Sequence, residues 1–380
     1  MINKPIDDIT ADDIDTLVVD RISEGRLFEL KRELPGRADS ERREFAADVT
    51  AFANAQGGDI LYGVEDQGGV ASSICGLAVS NRDTELTRLE SILLNCVDPR
   101  IAGLRWRWID RPAGDPVLLL RVPASTIAPH SVAISDTVRF HRRHNNRRSE
   151  MDVQELREAF TASEALPARI RSLHLDAVDM VARGNLPAGL GDEPKAVLSL
   201  IPATSFREIR DIDVQRENAL MPARPRGRIE TVEMVEGVLI SSLPDDQDAM
   251  RSLAITYRGG RIDTAWTIGR IVNGLGKDEV RLVWPKNFDD GLLDGVLSGA
   301  ARLRPHGIEG PWFVHVTLLD IAGYSLVLNN RQVSDPAWRG QLSLPSLRTD
   351  ILNRAALLPL MRAFWLAFGV RRPEKQATGE

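Results

Sequence analysis

The spacing of apolar residues changes along the chain, and each change predicts an element. Ile6, Ile9, Ile14, Leu17 and Val18 recur at helical intervals, so residues 5–20 predict a short amphipathic helix. From 27 to 33 the period drops to two. Phe28 and Leu30 share one face, and Leu27, Glu29 and Lys31 the other, which is the pattern of a strand. Phe45, Val49, Phe52 and Ala53 return to helical spacing behind a cap at Asp39 or Ser40. The stretch from Asn54 to Gly58 ends that helix. DILYGVE then reads as a strand, DQGG as a turn, and VASSICGL as the site of a second strand. Ser80 or Asn81 opens another helix, with Leu86, Leu89, Ile92, Leu93 and Cys96 on its apolar side and Pro99 closing it.

Three strands follow at LRWRWID, VLLLRV and TVRFHR, and Met151 to Ser163 predicts a helix capped by Asp152. Past residue 163 a helix leads into a Gly- and Pro-rich linker, GNLPAGLGDEP. The chain then changes character. AVLSLIP, GVLISSL, SLAITYR, RIDTAWTI, EVRLVW, WFVHVTLLD and YSLVL read as strands, and a long helix over 349–369 closes the sequence. The expected fold class is α+β. Residues 1–19 form a helical extension, 20–162 a first mixed-sheet domain, 163–192 a helix and linker, and 193–380 a second α+β domain.

Composition agrees with two domains. A chain of 380 residues is long for a single core. At 43% hydrophobic and 27% charged it has the balance of a soluble globular protein. A formal net charge of −6 argues against a protein coated in positive charge, yet it leaves room for a local basic groove. The two cysteines, Cys75 and Cys96, are too few for a disulfide framework and fit no zinc spacing, so both are expected as reduced thiols in a core. The acidic start lacks the apolar run of a signal peptide. The most apolar stretch, 355–370, is broken by Pro359 and Arg362 and is too short to span a bilayer. A cytoplasmic protein without membrane contact is the expectation.

Two groups of residues stand out chemically. Glu24, Glu29 and Asp66 are separated by a turn, a strand and a helix. If the strands at 27–33 and 59–65 are neighbours, the three acids approach one point. Carboxylates so placed repel unless a cation sits among them, and hard oxygen ligands suit Mg²⁺ or Mn²⁺. Lys31, on the face of Glu29, would then offer positive charge to a phosphate. Glu–Lys alternation on a strand equally serves plain ion pairs. The second group is Arg139, Arg142, Arg143, Arg147 and Arg148, interleaved with His141, His144, Asn145 and Asn146 and free of acids. Arginine forks suit phosphates, and Phe140 or a histidine suits base stacking. His141 and His144 do not have metal spacing on a strand. Arg105 and Arg107 alternate with Trp106 and Trp108, which places tryptophans on a core and arginines on a wet face. The ARPRGR loop (223–228) is another candidate phosphate contact. No G-x-x-x-x-G-K-[ST] string is present, so no P-loop nucleotide site is expected.

The string S-E-x(4)-E-L-K at 23–31, the block AFANAQGGDILYGVED at 51–66 and the basic strand RFHRRH at 139–144 together resemble the Schlafen AlbA-like domain, over about residues 20–162. The resemblance implies a mixed α+β domain that binds RNA or DNA. By motif it places a divalent-metal triad on Glu24, Glu29 and Asp66, with Glu65 as the alternative third acid, beside Lys31. The triad implies an endonuclease acting on structured, tRNA-like RNA or on DNA. The aromatic-x-x-R motif falls on Phe140 with Arg142 or Arg143, and His144 replaces the small residue usual after it. Family members can pair, which makes a homodimer an expectation, and a bacterial defence role follows by resemblance alone. Two readings stay open: a metal-dependent nuclease, and a non-catalytic nucleic-acid-binding regulator whose C-terminal half senses a ligand or partner.

Overall fold

The computed structural model describes all residues except 1, 3, 113, 145–146, 187–188, 207–211, 215–228, 244–249, 274–278, 307, 309 and 374–380. Asn145, Asn146 and the ARPRGR loop therefore lie outside the described residues. The chain divides into two compact units. The first comprises Met1–Pro167 with two short pieces of later chain, and the second comprises the rest from Ala168.

The first unit holds α1 (Ala11–Val19), β1 (Phe28–Lys31), α2 (Asp39–Ala53), β2 (Gly57–Tyr62), β3 (Val64–Gln67), β4 (Val70–Ile74), α3 (Arg82–Cys96), β5 (Val97–Asp98), β6 (Arg105–Ile109), β7 (Val117–Pro123), β8 (Ser131–Ile134), β9 (Thr137–His144) and β10 (Arg147–Glu150). It also takes the first half of α4 (Val153–Ala182), up to Pro167. A mixed sheet runs β1-β2-β7-β6, with β1 and β2 parallel and the other pairs antiparallel. A second sheet runs β10-β9-β8-β5, and β3 with β4 forms a separate hairpin. The fold is α+β, as the sequence predicts.

Strand β7 shows why its sequence is an unbroken apolar run. Leu118, Leu120 and Val122 pack with Phe45, Val49 and Phe52 of α2, while Val117 and Leu119 pack with Ile6, Ile9, Ile14, Phe28 and Leu30. A strand covered on both faces has no polar side to display. Strand β1 keeps the predicted alternation: Phe28 and Leu30 are buried, and Glu29 and Lys31 are half-buried on the opposite face.

Several expectations are adjusted. DILYGVE is two strands, broken at Gly63. The residue before α2 is Ala38, whose N–H is taken by the Glu41 carboxylate at 3.2 Å. The helix predicted to end at Ser163 continues through Pro167 to Ala182. Its predicted cap holds, since the Glu155 N–H donates to Asp152 Oδ1 at 2.8 Å. Cys96 lies in the core, whereas Cys75 is exposed.

The second unit is built on a sheet ordered β12 (Ile229–Glu233), β13 (Gly237–Ser242), β14 (Ser252–Tyr257), β15 (Ile262–Thr267), β11 (Lys195–Pro202), β18 (Trp312–Leu319) and β21 (Leu342–Ser343), with β22 (Leu347–Thr349) also on β18. A smaller sheet joins β16 (Gly269–Asn273), β17 (Glu279–Val283), β19 (Ser325–Asn329) and β20 (Gln332–Val333). Along β11, Ala196, Leu198 and Leu200 face α5 (Pro285–Leu303) and α6 (Arg354–Leu366), while Val197 faces Ala177, Val178 and Val181 in the second half of α4. Phe288 of α5 stacks on Phe364 of α6 with centroids 4.0 Å apart. Helix α5 lies close to the sheet because Gly291, Gly295 and Gly299 repeat every four residues. A Cβ at Gly291 would collide with the Trp266 indole.

On the α4 side of this sheet a chain of polar groups is buried. His174 Nδ1 meets Ser199 Oγ at 2.9 Å and Nε2 meets Thr317 Oγ1 at 2.8 Å, which in turn meets Ser343 Oγ at 2.9 Å. Burial, with His315 and Arg261 adding to it, pushes the His174 pKa down to about 3. Burial likewise pushes up the carboxyl of Asp263, against the pull of Arg261 at 3.1 Å. Among the described residues no helix is long and apolar enough to cross a membrane.

Candidate nucleic-acid interface

The AFANAQGG block is a clamp between backbones. Asn54, at the end of α2, donates both amide hydrogens, to the carbonyls of His130 at 2.9 Å and His141 at 2.8 Å. Its Oδ1 accepts the His130 N–H at 2.7 Å. One side chain thereby ties α2 to β8 and β9, and all its hydrogen-bonding capacity except one lone pair is used. Gly57 has φ +74°, and a Cβ there would approach Val122 O at 2.6 Å and Ala124 N at 2.7 Å. A Cβ at Gly58 would collide with the Phe52 ring. These glycines let α2 and β7 close on β2, and they face protein, not an open cradle. Asp59 then pairs with Arg121 at 2.8 Å and accepts the Ile2 N–H at 2.7 Å, while Arg121 donates to the carbonyls of Lys4 and Ile2.

The three predicted acids come into one neighbourhood, each with a protein partner. Glu24 is half-buried, and its Oε1 accepts the Leu30 N–H at 2.9 Å. Burial raises its carboxyl above the usual range. The charges of Glu29 and Asp66 add to the rise, and the Leu30 N–H and Arg143 oppose it. Glu29 is bound on both oxygens, Oε1 by Lys31 at 3.0 Å and Oε2 by Arg143. Asp66 is exposed and closes the β3–β4 turn by accepting the Gly69 N–H at 2.8 Å. Glu65, the alternative third acid, pairs with Arg32 at 3.0 Å. Among the described residues no group of three or more His, Cys, Asp or Glu side chains is placed to hold a metal ion. As arranged, Lys31 and Arg143 take both oxygens of the central carboxylate, so a divalent ion on these acids would have to displace them.

Lys31 belongs to a network that extends onto α2. Its ammonium lies 3.1 Å from Asp48 Oδ2 and 3.9 Å from Glu44 Oε1. Burial alone would lower its pKa, but Asp48 and Glu29 outweigh burial and push it up to about 12. Asp48 also takes Arg148 at 2.5 Å. Beneath them Tyr62 is fully buried, and burial, then Asp48, Glu29 and Glu44, hold its phenol protonated. Sequence reasoning missed Asp48 and Glu44. Their signal was an acid inside the apolar run EFAADVTAFA, spaced one helical turn from a second acid.

Strand alternation divides the five arginines. The β9–β10 register sets Arg148 opposite Arg143, Ser149 opposite Arg142 and Arg147 opposite His144. Arg139, Arg143 and Arg148 therefore share one face and Arg142 and Arg147 the other. The first three are engaged. Arg139 pairs with Glu150 at 2.7 Å, and Arg148 with Asp48. Arg143 is buried, donates to the Gly25 carbonyl at 2.9 Å and lies 4.6 Å from the Phe52 ring centre. Arg142 and Arg147 make no ion pair or hydrogen bond among the described residues. On their face Phe140 meets Phe160 of α4 edge-on at 6.2 Å, and His144 meets Glu155 at 2.9 Å. His141, on the other face, is pushed down to about 4 by burial and then by Arg148. On β6 the tryptophans are half-buried and pack against the core, Trp106 lying 6.5 Å from Phe45. The arginines of that strand are partly exposed, as expected, and both are engaged. Arg105 pairs with Asp7, and Arg107 donates to the Ile6 carbonyl at 2.6 Å.

This is a mixed-sheet α+β domain with an acid–lysine–arginine network at one sheet end and a two-arginine face beside it. Residues 24–152 match the family described as Schlafen, AlbA_2. The match covers about a third of the chain, and the family points to a function related to nucleic acid. No curated protein matches the chain. Among solved structures, the chain resembles the crystal structure of the DIP2311 protein from Corynebacterium diphtheriae at 18% identity. The likeness covers 40% of this chain and 28% of that one, with a TM-score of 0.29, and is too weak to carry an argument.

Proposed function

We propose that the first unit binds RNA or DNA through phosphates, with Arg142 and Arg147 as the contacts and the carboxylates serving as internal ion pairs. One observation carries this reading. On a ribbon of five arginines three are neutralised by Glu150, Glu29 and Asp48, and the two on the other face, Arg142 and Arg147, make no ion pair among the described residues, the Glu155 carboxylate there being taken by His144. Two cations held on a paired ribbon beside Phe140 and Phe160 suit a sugar–phosphate strand. The test is fluorescence anisotropy with tRNA, single-stranded RNA and duplex DNA over a salt series. The double variant Arg142→Ala/Arg147→Ala should weaken binding to all three and flatten the logarithmic salt slope by about 2. An unchanged slope would remove the proposal. The homodimer belongs to the same reading and is measured by light scattering.

A second reading is metal-dependent cleavage, with Mg²⁺ or Mn²⁺ on Glu24, Glu29 and Asp66. The observation in its favour is that Glu24 feels the charge of both other acids. It requires Lys31 and Arg143 to release Glu29. Incubation of the same nucleic acids with Mn²⁺ or EDTA tests it. Cutting that Glu29→Ala abolishes while sparing binding supports it, and intact substrate in every lane ends it.

A further inference from the structure

The second unit contains a cleft of about 230 Å³, with Glu193, Arg251, Thr267, Arg270, Trp284 and Asn287 on its walls. All six residues belong to that unit, so nothing in the phosphate-binding reading of the first unit bears on it. Two guanidinium groups around one small volume raise its potential unless carboxylates balance them. Arg251 is balanced, since it pairs with Glu193. Arg270 is exposed and makes no ion pair among the described residues; its guanidinium lies 5.5 Å from the centre of the Trp284 ring. The ring holds the cation in place through its quadrupole, but it cancels no charge and leaves the N–H donors of the guanidinium free for an anion. Trp284 is itself half-buried, so part of the indole surface is open.

We propose that this cleft binds a small anion that carries an aromatic ring, its charge a carboxylate or a phosphate. Arg270 takes the charge, and the Trp284 indole takes the ring. The volume is below the range of about 300–1,000 Å³ common for small-molecule sites, so the cleft encloses only a small group. A ring without charge leaves Arg270 unanswered. A charge without a ring leaves the indole surface wet.

Calorimetric titration of the full chain with AMP, benzoate, adenosine and inorganic phosphate tests this. AMP or benzoate should saturate, and which of them does so identifies the anionic group. Adenosine and phosphate should bind at least about 10-fold more weakly, the factor that about 1.4 kcal/mol represents. Arg270→Ala, at an exposed position, should weaken the better ligand by about 10-fold, the loss expected of one charge-assisted contact. Trp284→Leu should weaken it comparably and Trp284→Phe should restore most of it. The proposal is overturned if neither AMP nor benzoate saturates below about 10 mM, a range in which binding is worth under about 3 kcal/mol. It is equally overturned if phosphate alone binds as tightly as AMP, or if Arg270→Ala binds as the wild type does.

Discussion

Both units pair buried charges, the second through Arg372 with Asp289 and Arg261 with Asp263, but the networks at their centres differ. In the first, charge is kept and paired. Asp59 answers Arg121, Glu29 answers Arg143 and Lys31, and Asp48 answers Lys31 and Arg148. In the second, His174 is held neutral between two hydroxyls, and burial works against the charge of Asp263. The two solutions differ in cost. A desolvated ion pair is destabilised strongly when one partner is lost, whereas a neutral network is destabilised when protons arrive. The first unit should therefore be sensitive to mutation at its charges, and the second to acid.

The largest expected effect breaks the first half of that contrast. Asp59→Ala leaves the Arg121 guanidinium buried without its carboxylate and frees the Ile2 N–H. Loss of one partner of a buried pair costs about 3–5 kcal/mol, to be measured by urea denaturation. A loss under about 1 kcal/mol, the range of surface pairs, would mean that the pair is effectively solvated and the contrast false. The second effect comes from His174. Its folded pKa of about 3 lies below the ordinary value of 6.5. The unfolded chain therefore takes up a proton that the native state refuses. Stability is whole above about pH 6.5 and falls by up to about 1.4 kcal/mol per pH unit as the pH drops toward 3. His174→Gln keeps a donor and an acceptor for Ser199 and Thr317 and should flatten this slope in hydrogen exchange of β11 and β18. His141, pushed down to about 4, gives the first unit a shorter acid limb of the same sign.

The same contrast decides what could be read in the sequence. Elements with strong periodicity were legible: β1, α2, α3 and the apolar run of β7 follow from spacing alone. Helix α5 was not, because Gly291, Gly295 and Gly299 make it a poor helix on propensity. Packing overrides that cost, since the glycines are what let it lie on Trp266, Leu198 and Leu200. The three acids of the first unit were legible as a group from motif and order. Their partners were not, because Asp48 and Glu44 come from a helix and Arg143 and Arg148 from two paired strands, joined only by tertiary structure. The arginine cluster was legible as composition. Its division into engaged and open residues needed the β9–β10 register, which no local pattern reveals.

The smallest effect sharpens the contrast at a partly exposed member. Lys31 has a folded pKa of about 12, above its ordinary value of 10.5. Its contribution to stability is therefore fully present below about pH 10.5 and is lost as the pH rises through 12. The groups facing it are Glu29, Glu44, Asp48 and Tyr62. Tyr62 acts in the same direction, because the unfolded phenol ionises near its ordinary value while the buried one stays protonated. Tyr62→Phe removes that second source; Tyr257 and Tyr324, both raised by burial, add slopes of the same sign from the second unit, so the share of Lys31 is the part of the remaining slope that depends on Asp48. The lysine side chain is 28% exposed, so solvent screening should hold its share to under about 1 kcal/mol. Asp48→Asn in the Tyr62→Phe background should shrink the remaining alkaline slope, because it removes the largest of the charges that raise Lys31. If the slope survives both changes at full size, Lys31 is not held by Asp48, and the network on α2 does not carry charge in the way its geometry implies.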